Sequence, residues 1–332
     1  MKNIEMYVGN TDNDWFDFLK RNGPHEEVNF WKPSTANFRA IDEGGLFIFR
    51  LKSPRNMIGG FGVLASAVST PIHLAWEAFG IGNGVATQAE MVNAIGQYRN
   101  RRDTTPYSLI GSRVLIEPVF FDEQEWFAVP RNWSSSIVAG KRYSLADSHG
   151  QRLFSQIQER AGAHLDDSRP MPVRLNELGL RETGVGFSYT GQTEGVQPAT
   201  REPQLSLVRR RMGQGSFRIR IAHLYNYECA VSDTKVLPAL DAAHIRPYAE
   251  SHEHDVRNGL FLRKDIHSVF DAGFATVDKN LIFVVSDKVR EVFNNGNEYR
   301  RLHGTKLKLP EKKKFWPLPE NLAWHRENLY KG

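Results

Sequence analysis

The sequence predicts an α+β protein of two folded units joined by a linker, and three observations carry that expectation. Residues 4–160 mix strand-like apolar runs with a few short helices, and one run holds three closely spaced glycines. Such a pattern suits a curling sheet, a pseudo-barrel, better than a doubly wound one. Residues from 162 to about 200 lose apolar periodicity and fill with Gly, Pro, Thr, Ser and Asp, as a linker does. Residues 229–273 then read strand, strand, helix, with one polar residue donated by each element. The chain has 332 residues, 40% of them hydrophobic and 24% charged, which is enough for two cores. The expected division is 1–160, a linker at 161–205, and 206–332.

In order, strand IEMYVGN starts at Ile4, and helix DWFDFLKR opens at Thr11 or Asp12 with Trp15, Phe16 and Leu19 on its apolar face. VNFWKPSTANFRAI mixes aromatic, proline and small polar residues. GLFIFRLK (45–52) and MIGGFGVLASAV (57–68) are strands parted by the turn SPRN. Gly59, Gly60 and Gly62 lie within a strand pattern, with no Lys-Ser/Thr and no capped helix behind them. They mark a bulge or bend, not a phosphate loop. LAWEAFG is a short helix ended by Gly80, EMVNAIGQYRNRR (90–102) a second begun by Thr87, SLIGSRVLIEPVFF (108–121) a strand, and GQRLFSQIQERAG a closing helix. GVGFSYT is a strand-like piece within the linker. FRIRIAHLYNY has helical spacing, with Phe217, Ile221 and Leu224 on one side and Arg218 among the polar positions. FATVDKNLIFVVSDKV is a hairpin turning near Asp278–Asn280, and KVREVFNN a helix stopped at Gly296. In the tail, Trp316 and Trp324 are expected to pack back on the second unit, leaving the lysines free for backbone phosphate.

Net charge is +5, which permits a polyanionic partner without requiring one. Its distribution says more: basic residues concentrate at Arg99–Arg102, Arg209–Arg220 and Lys306–Lys314. The one cysteine, Cys229, excludes an internal disulfide and a zinc knot of two CxxC pairs, and reads as a small buried hydrophobe. The first residues show no charged region followed by an apolar one, and no run reaches membrane-spanning length, so a cytoplasmic protein is expected.

The chemistry concentrates on His244, which ends the apolar run VLPALDAAHI, Asn258, which precedes GLFL, and His267, inside KDIHSVFDAG. Phosphodiester hydrolysis needs a base to deprotonate water and a cation to neutralise phosphoryl oxygens and the departing alkoxide. A neutral imidazole suits the first task, and imidazole with carboxylate suits the second. These residue types fit nuclease chemistry. The strings CAV, LDAAHIRP, NGLFLRKDIH and FDAG, with His to Asn spaced by fourteen and Asn to His by nine, resemble the HNH nuclease motif of the ββα-metal fold. The resemblance implies that His244 is the general base, that Asn258 pins the loop between the strands or completes the metal environment, and that His267 is a metal ligand. Asp271, four residues on and on the same helix face, falls where some members place a further ligand. Many members carry Asp or His before the first His as a metal ligand, but here Ala243 stands there, so that Asp241, the nearest upstream carboxylate, Asp271 or a loop histidine is the candidate for that ligand, or the cation is held by fewer protein groups. Regular strand alternation sets Asp241 on the face opposite His244. The implied cofactor is a divalent cation, Mg²⁺ or Mn²⁺, and duplex cleavage by a one-site module implies a homodimer. Arg209, Arg210, Arg246 and Lys264 are candidate contacts to the DNA backbone. His252 and His254 read as residues of a polar surface loop, with phosphate or metal contact as the alternative, and His223, His303 and His325 as structural.

The first half is similar to HNH proteins whose leading domain belongs to the PUA superfamily (EVE, ASCH and SRA branches). The likeness rests on an FW.PS segment, an LF.F.LK strand and an IGGFG strand, and EVE is the preferred branch. The likeness implies a domain that takes a base out of the helix and tests it in a pocket of aromatic faces and polar groups. Trp31, Ser34, Asn37, Phe38, Trp76 and Asn83 are the candidates. The expectation is a modification-dependent endonuclease acting on double-stranded DNA that carries 5-methyl- or 5-hydroxymethylcytosine. A phosphorothioate-dependent nuclease and a non-catalytic DNA reader stand as alternatives.

Overall fold

The protein is represented by a computed structural model that describes residues 5–99, 104–163, 213–251 and 254–332. Seven strands make one sheet: Glu5–Thr11 (β1), Glu27–Lys32 (β2), Leu46–Leu51 (β3), Met57–Pro71 (β4), Leu109–Phe120 (β5), Phe127–Ala128 (β6) and Gly140–Ser144 (β7). Their order is β2-β5-β4-β3-β1-β7, with β6 also on β4. β1 and β3 run parallel and every other pair antiparallel. Register slips along β4, beside Phe61 and Leu64 against β5 and beside Phe49 against β3, bend the long strand. A Cβ on Gly60 would sit 2.1 Å from the carbonyl oxygen of Val119, so this approach of two backbones requires glycine.

Helix Asn13–Arg21 (α1) begins at Asp12, whose carboxylate accepts the free N–H groups of Asp14 and Trp15. It buries Trp15, Phe16 and Leu19 against Phe30, Phe47 and Phe49 on one face of the sheet. On the other side lie Ile72–Phe79 (α2) and Gln88–Tyr98 (α3), the latter capped by Thr87. Ser148–Ala163 (α4) ends this part of the chain.

The remaining elements are Gln214–Leu224 (α5), Leu240–His244 (β8), Tyr248–Ser251 (α6), Gly259–Arg263 (β9), Lys264–Asp271 (α7), Ala275–Val277 (β10), Phe283–Val285 (β11), Lys288–Phe293 (α8), Asn297–Arg300 (α9) and Pro319–Asn328 (α10). β8 and β9 pair antiparallel, from Leu240 opposite Arg263 to His244 opposite Gly259, and α7 leaves β9 without a loop. The tail packs back as expected. In α10 His325 stacks on Phe270 at 3.8 Å and shares a 2.9 Å hydrogen bond with the Thr276 hydroxyl, while the Trp316 indole donates to the Pro310 carbonyl.

α5 departs from its amphipathic pattern. Its residues from Gly215 to Phe217 and from Ile219 to Ala222 are all buried, because the helix is wedged between the sheet and the β8–β9 pair. The Glu27 carboxylate caps its first turn, accepting from the N–H of Gly213 and from the N–H and hydroxyl of Ser216. Gly259 has no side chain to hold off Phe217 and Ile221, whose atoms would lie within 2.7 Å of a Cβ there. One apolar cluster therefore runs from Phe61 and Val63 of the sheet through Phe217 and Ile221 to Leu260 and Phe270. The architecture is α+β, as the sequence predicts. GVGFSYT and Arg209–Arg211 lie outside the described residues. Among the described residues no helix is long and apolar enough to cross a membrane.

Candidate active site

Strand β8 is short and belongs to a two-stranded ribbon, the kind of pair in which twist is largest. Leu240 and Ala243 turn into the core, while Asp241, Ala242 and His244 stay partly exposed. Simple alternation fails here: Asp241 and His244 line the same cleft of about 540 Å³, together with Arg218, His267 and Asp271. His244 lies flat on Phe217, ring centroids 3.9 Å apart and planes 8° from parallel. Burial, then the neighbouring His254 and His267, push its pKa down to about 4, so it is neutral near pH 7.

Asn258 is 2% exposed and its amide serves the backbone. The side-chain oxygen accepts the N–H of Arg246 at 2.9 Å, and the nitrogen donates to the Arg246 carbonyl at 2.8 Å. This pins the chain leaving β8 to the chain entering β9, the first of the two roles the motif offers. Asn258→Ala should cost about 1–3 kcal/mol, the penalty for buried backbone groups left unpaired. Chemical denaturation of the two proteins measures it.

His267 stands between two carboxylates. Its Nδ1 is 3.4 Å from Oδ2 of Asp241 and its Nε2 3.1 Å from Oδ2 of Asp271. Burial disfavours the imidazolium, but the hydrogen bonds and charges of the two aspartates prevail and hold it at about 9. Burial likewise opposes ionisation of Asp241, yet His267 and Arg218 keep its carboxyl below the usual range. Arg218 joins this group to the sheet unit, with Nη2 2.8 Å from Oε2 of Glu77 in α2 and 3.4 Å from Oδ1 of Asp241.

Imidazole and carboxylate are suitable donors for a divalent cation, and a proton on His267 occupies the position such a cation would take. Among the described residues no three His, Cys, Asp or Glu side chains already converge on one point. The reason is geometric. The two nitrogens of one imidazole point apart, so a cation fits between His267 and either Asp241 or Asp271.

The other candidates are dispersed. Arg246 lies over the Trp324 ring at 5.3 Å and donates to the Glu250 carbonyl, while Lys264 is exposed at the start of α7. Arg209, Arg210 and His252 lie outside the described residues. The six base-pocket candidates do not form one pocket. Asn37 and Phe38 line a narrow cleft with Ser112 and Arg113, and Ser34 is exposed next to Phe38's loop. Trp31 and Trp76 pack on Ile72, Ala75, Met91 and Ile95, on the other face of β2. Asn83 is fully buried, and its amide is spent on Asn29 and on the carbonyls of Ala75 and Gly80.

Sequence reasoning missed Phe217, Arg218 and Glu77 as cleft residues, and it placed His254 at the surface. His254 is 7% exposed, because its loop folds back onto Phe217 and Tyr248. Phe217 read as an apolar-face residue and Arg218 as a polar one of the same helix, with no local sign that either borders the cleft, and nothing local marks Glu77.

The HNH endonuclease family model matches residues 229–278. No curated protein matches the chain significantly. Among solved structures, two point mutants of ZmASCH from Zymomonas mobilis each show 14% identity and a TM-score of 0.30 over 45% of this chain and 96% or 94% of theirs. The modification-dependent TagI restriction endonuclease shows 11% identity and a TM-score of 0.27 over 93% of this chain and 77% of its own. Scores at that level establish no shared fold. The family match, in contrast, falls on the strand pair and helix that bring His244 and His267 to one cleft, with Asn258 buried behind it as the clamp between the strands, and residues 229–278 are an HNH endonuclease module.

Proposed function

We propose that the chain is a modification-dependent DNA endonuclease, in which the residues up to 160 read a modified cytosine and the HNH module cuts nearby. The observation that carries the cutting half is the cleft in which a neutral imidazole, His244, shares one wall with the Asp241–His267–Asp271 group. His244 takes a proton from the attacking water. Held by His267 and one of its two aspartates, Mg²⁺ or Mn²⁺ would supply charge neutralisation at the phosphoryl group. In-line attack leaves a 5′-phosphate and a 3′-hydroxyl. Two copies of the chain cut the two strands, so the active form is a homodimer.

The reading half is supported by the sequence likeness to PUA-superfamily domains and by the chemistry around Phe38, where the cleft of about 10 Å³ has to open before a base can enter. Arg113 lies over the Phe38 ring at 4.5 Å, and its Nε and Nη1 are buried without a hydrogen-bond acceptor. Burial, then the charge of Arg113, push the nearby Lys32 down to about 8. Buried donors lacking acceptors suit an acceptor-rich ligand edge, such as O2 and N3 of a flipped cytosine.

The test is digestion of matched duplexes with Mg²⁺ or Mn²⁺: one plain, one with 5-methyl- or 5-hydroxymethylcytosine, one with phosphorothioate linkages. Preferential cutting of the modified-cytosine duplex is expected. Equal cutting of all three would remove modification dependence and leave the nuclease, preference for phosphorothioate would replace the ligand, and no cutting would favour a DNA reader.

A further inference from the structure

His254 has no part in the reaction as described so far, yet its ring is locked against the base. Its Nδ1 lies 3.2 Å from Nε2 of His244. His254 stacks on Tyr248 at 4.3 Å with planes 12° apart, while the opposite partner of the pair, His244, lies flat on Phe217. The chain just after it is also fixed. Asp255 accepts the N–H of Arg257 at 2.8 Å, and the Asn258 amide clamps the backbone of Arg246. Two stacked rings on a pinned loop therefore meet edge to edge, and neither swings away without giving up its aromatic contact.

A contact between two imidazole nitrogens holds one proton, so one ring donates and the other accepts. If His254 donated, the Nε2 lone pair of His244 would be consumed, and neutral His244 would carry its own proton on Nδ1. No lone pair would remain for water. If His244 donates instead, its Nδ1 is bare and its Nε2–H is held in place.

We propose that His254 is a positioning residue for His244: it accepts the Nε2–H of His244 and thereby leaves Nδ1 as the nitrogen that takes the proton. The assignment rests on His244 being the base. When water gives its proton to Nδ1, His244 becomes an imidazolium, the resulting hydroxide attacks phosphorus, the bond to the 3′ oxygen breaks, and that oxygen takes a proton from solvent water to become the 3′-hydroxyl. His254 continues to accept from it and must stay neutral to do so. Burial, which lowers the pKa of His254, favours that state. The neighbouring titratable groups on His244 are His254, His267 and Asp271.

The test compares the full-length parent with His254→Phe, which keeps a ring for Tyr248 but offers no acceptor, and His254→Asn, whose amide oxygen accepts. Nitrogen-15 shifts of the His244 ring, assigned against His244→Ala, report its tautomer, and single-turnover cleavage, KM and Tm are measured alongside. The parent should show His244 protonated on Nε2. His254→Phe should lose that preference and cut about 10–100-fold more slowly, the scale of a misoriented catalytic group, at unchanged KM and Tm, while His254→Asn restores most of the rate. Parental cleavage by His254→Phe, or a parent protonated on Nδ1, would overturn the proposal. Should His244→Ala itself cut normally, the base assignment fails, and the tautomer still shows whether the two rings are joined as described.

Discussion

A His244→Ala protein is expected to remain folded and to cleave DNA about 10²–10⁴-fold more slowly, the range that a positioned general base contributes. The size of the loss follows from what else is in the cleft. His267 offers no lone pair to water: between Asp241 and Asp271 it is an imidazolium when no cation is bound, and a bound cation takes a ring nitrogen in place of that proton. Glu77 is engaged by Arg218, and His254 is buried beside His244. Among the described cleft residues, then, no second neutral base stands ready. Plasmid nicking under single-turnover conditions measures the change, and undiminished cleavage would show that His244 is not the base. The same protein family of measurements bears on pH. Because burial and the adjacent imidazoles lower the pKa of His244 to about 4, the acid limb of the parental rate profile, measured at saturating Mg²⁺ or Mn²⁺ so that the cation outcompetes the proton on His267, should lie below the ordinary histidine value.

Much of the scaffold was legible because its causes are local. Asp12 and Thr87 cap the helices they precede, since each supplies an oxygen to unpaired N–H groups a few residues on. The run LDAAH, then GLFLR, then KDIHSVFD forms the expected strands and helix because alternation and helical spacing are properties of the segment itself. What was illegible depends on neighbours distant in sequence. Helical spacing in FRIRIAHL cannot reveal that a sheet covers one flank and a strand pair the other. Alternation separates Trp31 from Phe30 and Lys32, but not which face of β2 borders an open cleft. His254 looked like a surface residue because only the folded loop brings it to His244. For Asp241, ribbon twist overrode the ideal two-residue period.

The metal side of the site gives the other large effect. His267→Ala should lower cleavage in Mg²⁺ or Mn²⁺ by about 10³–10⁴-fold, since several kcal/mol of charge stabilisation are lost and each 1.36 kcal/mol is about tenfold. Chelation should likewise silence the parent. Calorimetry with Mn²⁺ separates this from a folding defect: the parent binds, and the variant, still folded, does not. Which aspartate shares the cation can be argued from surroundings. Side-chain exposure is 31% for Asp241 and 58% for Asp271, so attraction at Asp241 is less screened by solvent. Arg218, 3.4 Å away, opposes a cation there, but Glu77 draws that guanidinium closer, to 2.8 Å. Asp241→Asn is therefore expected to weaken Mn²⁺ binding by about tenfold or more, and more than Asp271→Asn does. The reverse order would put the cation on the Nε2 side of His267, with Asp241 left to pair with Arg218.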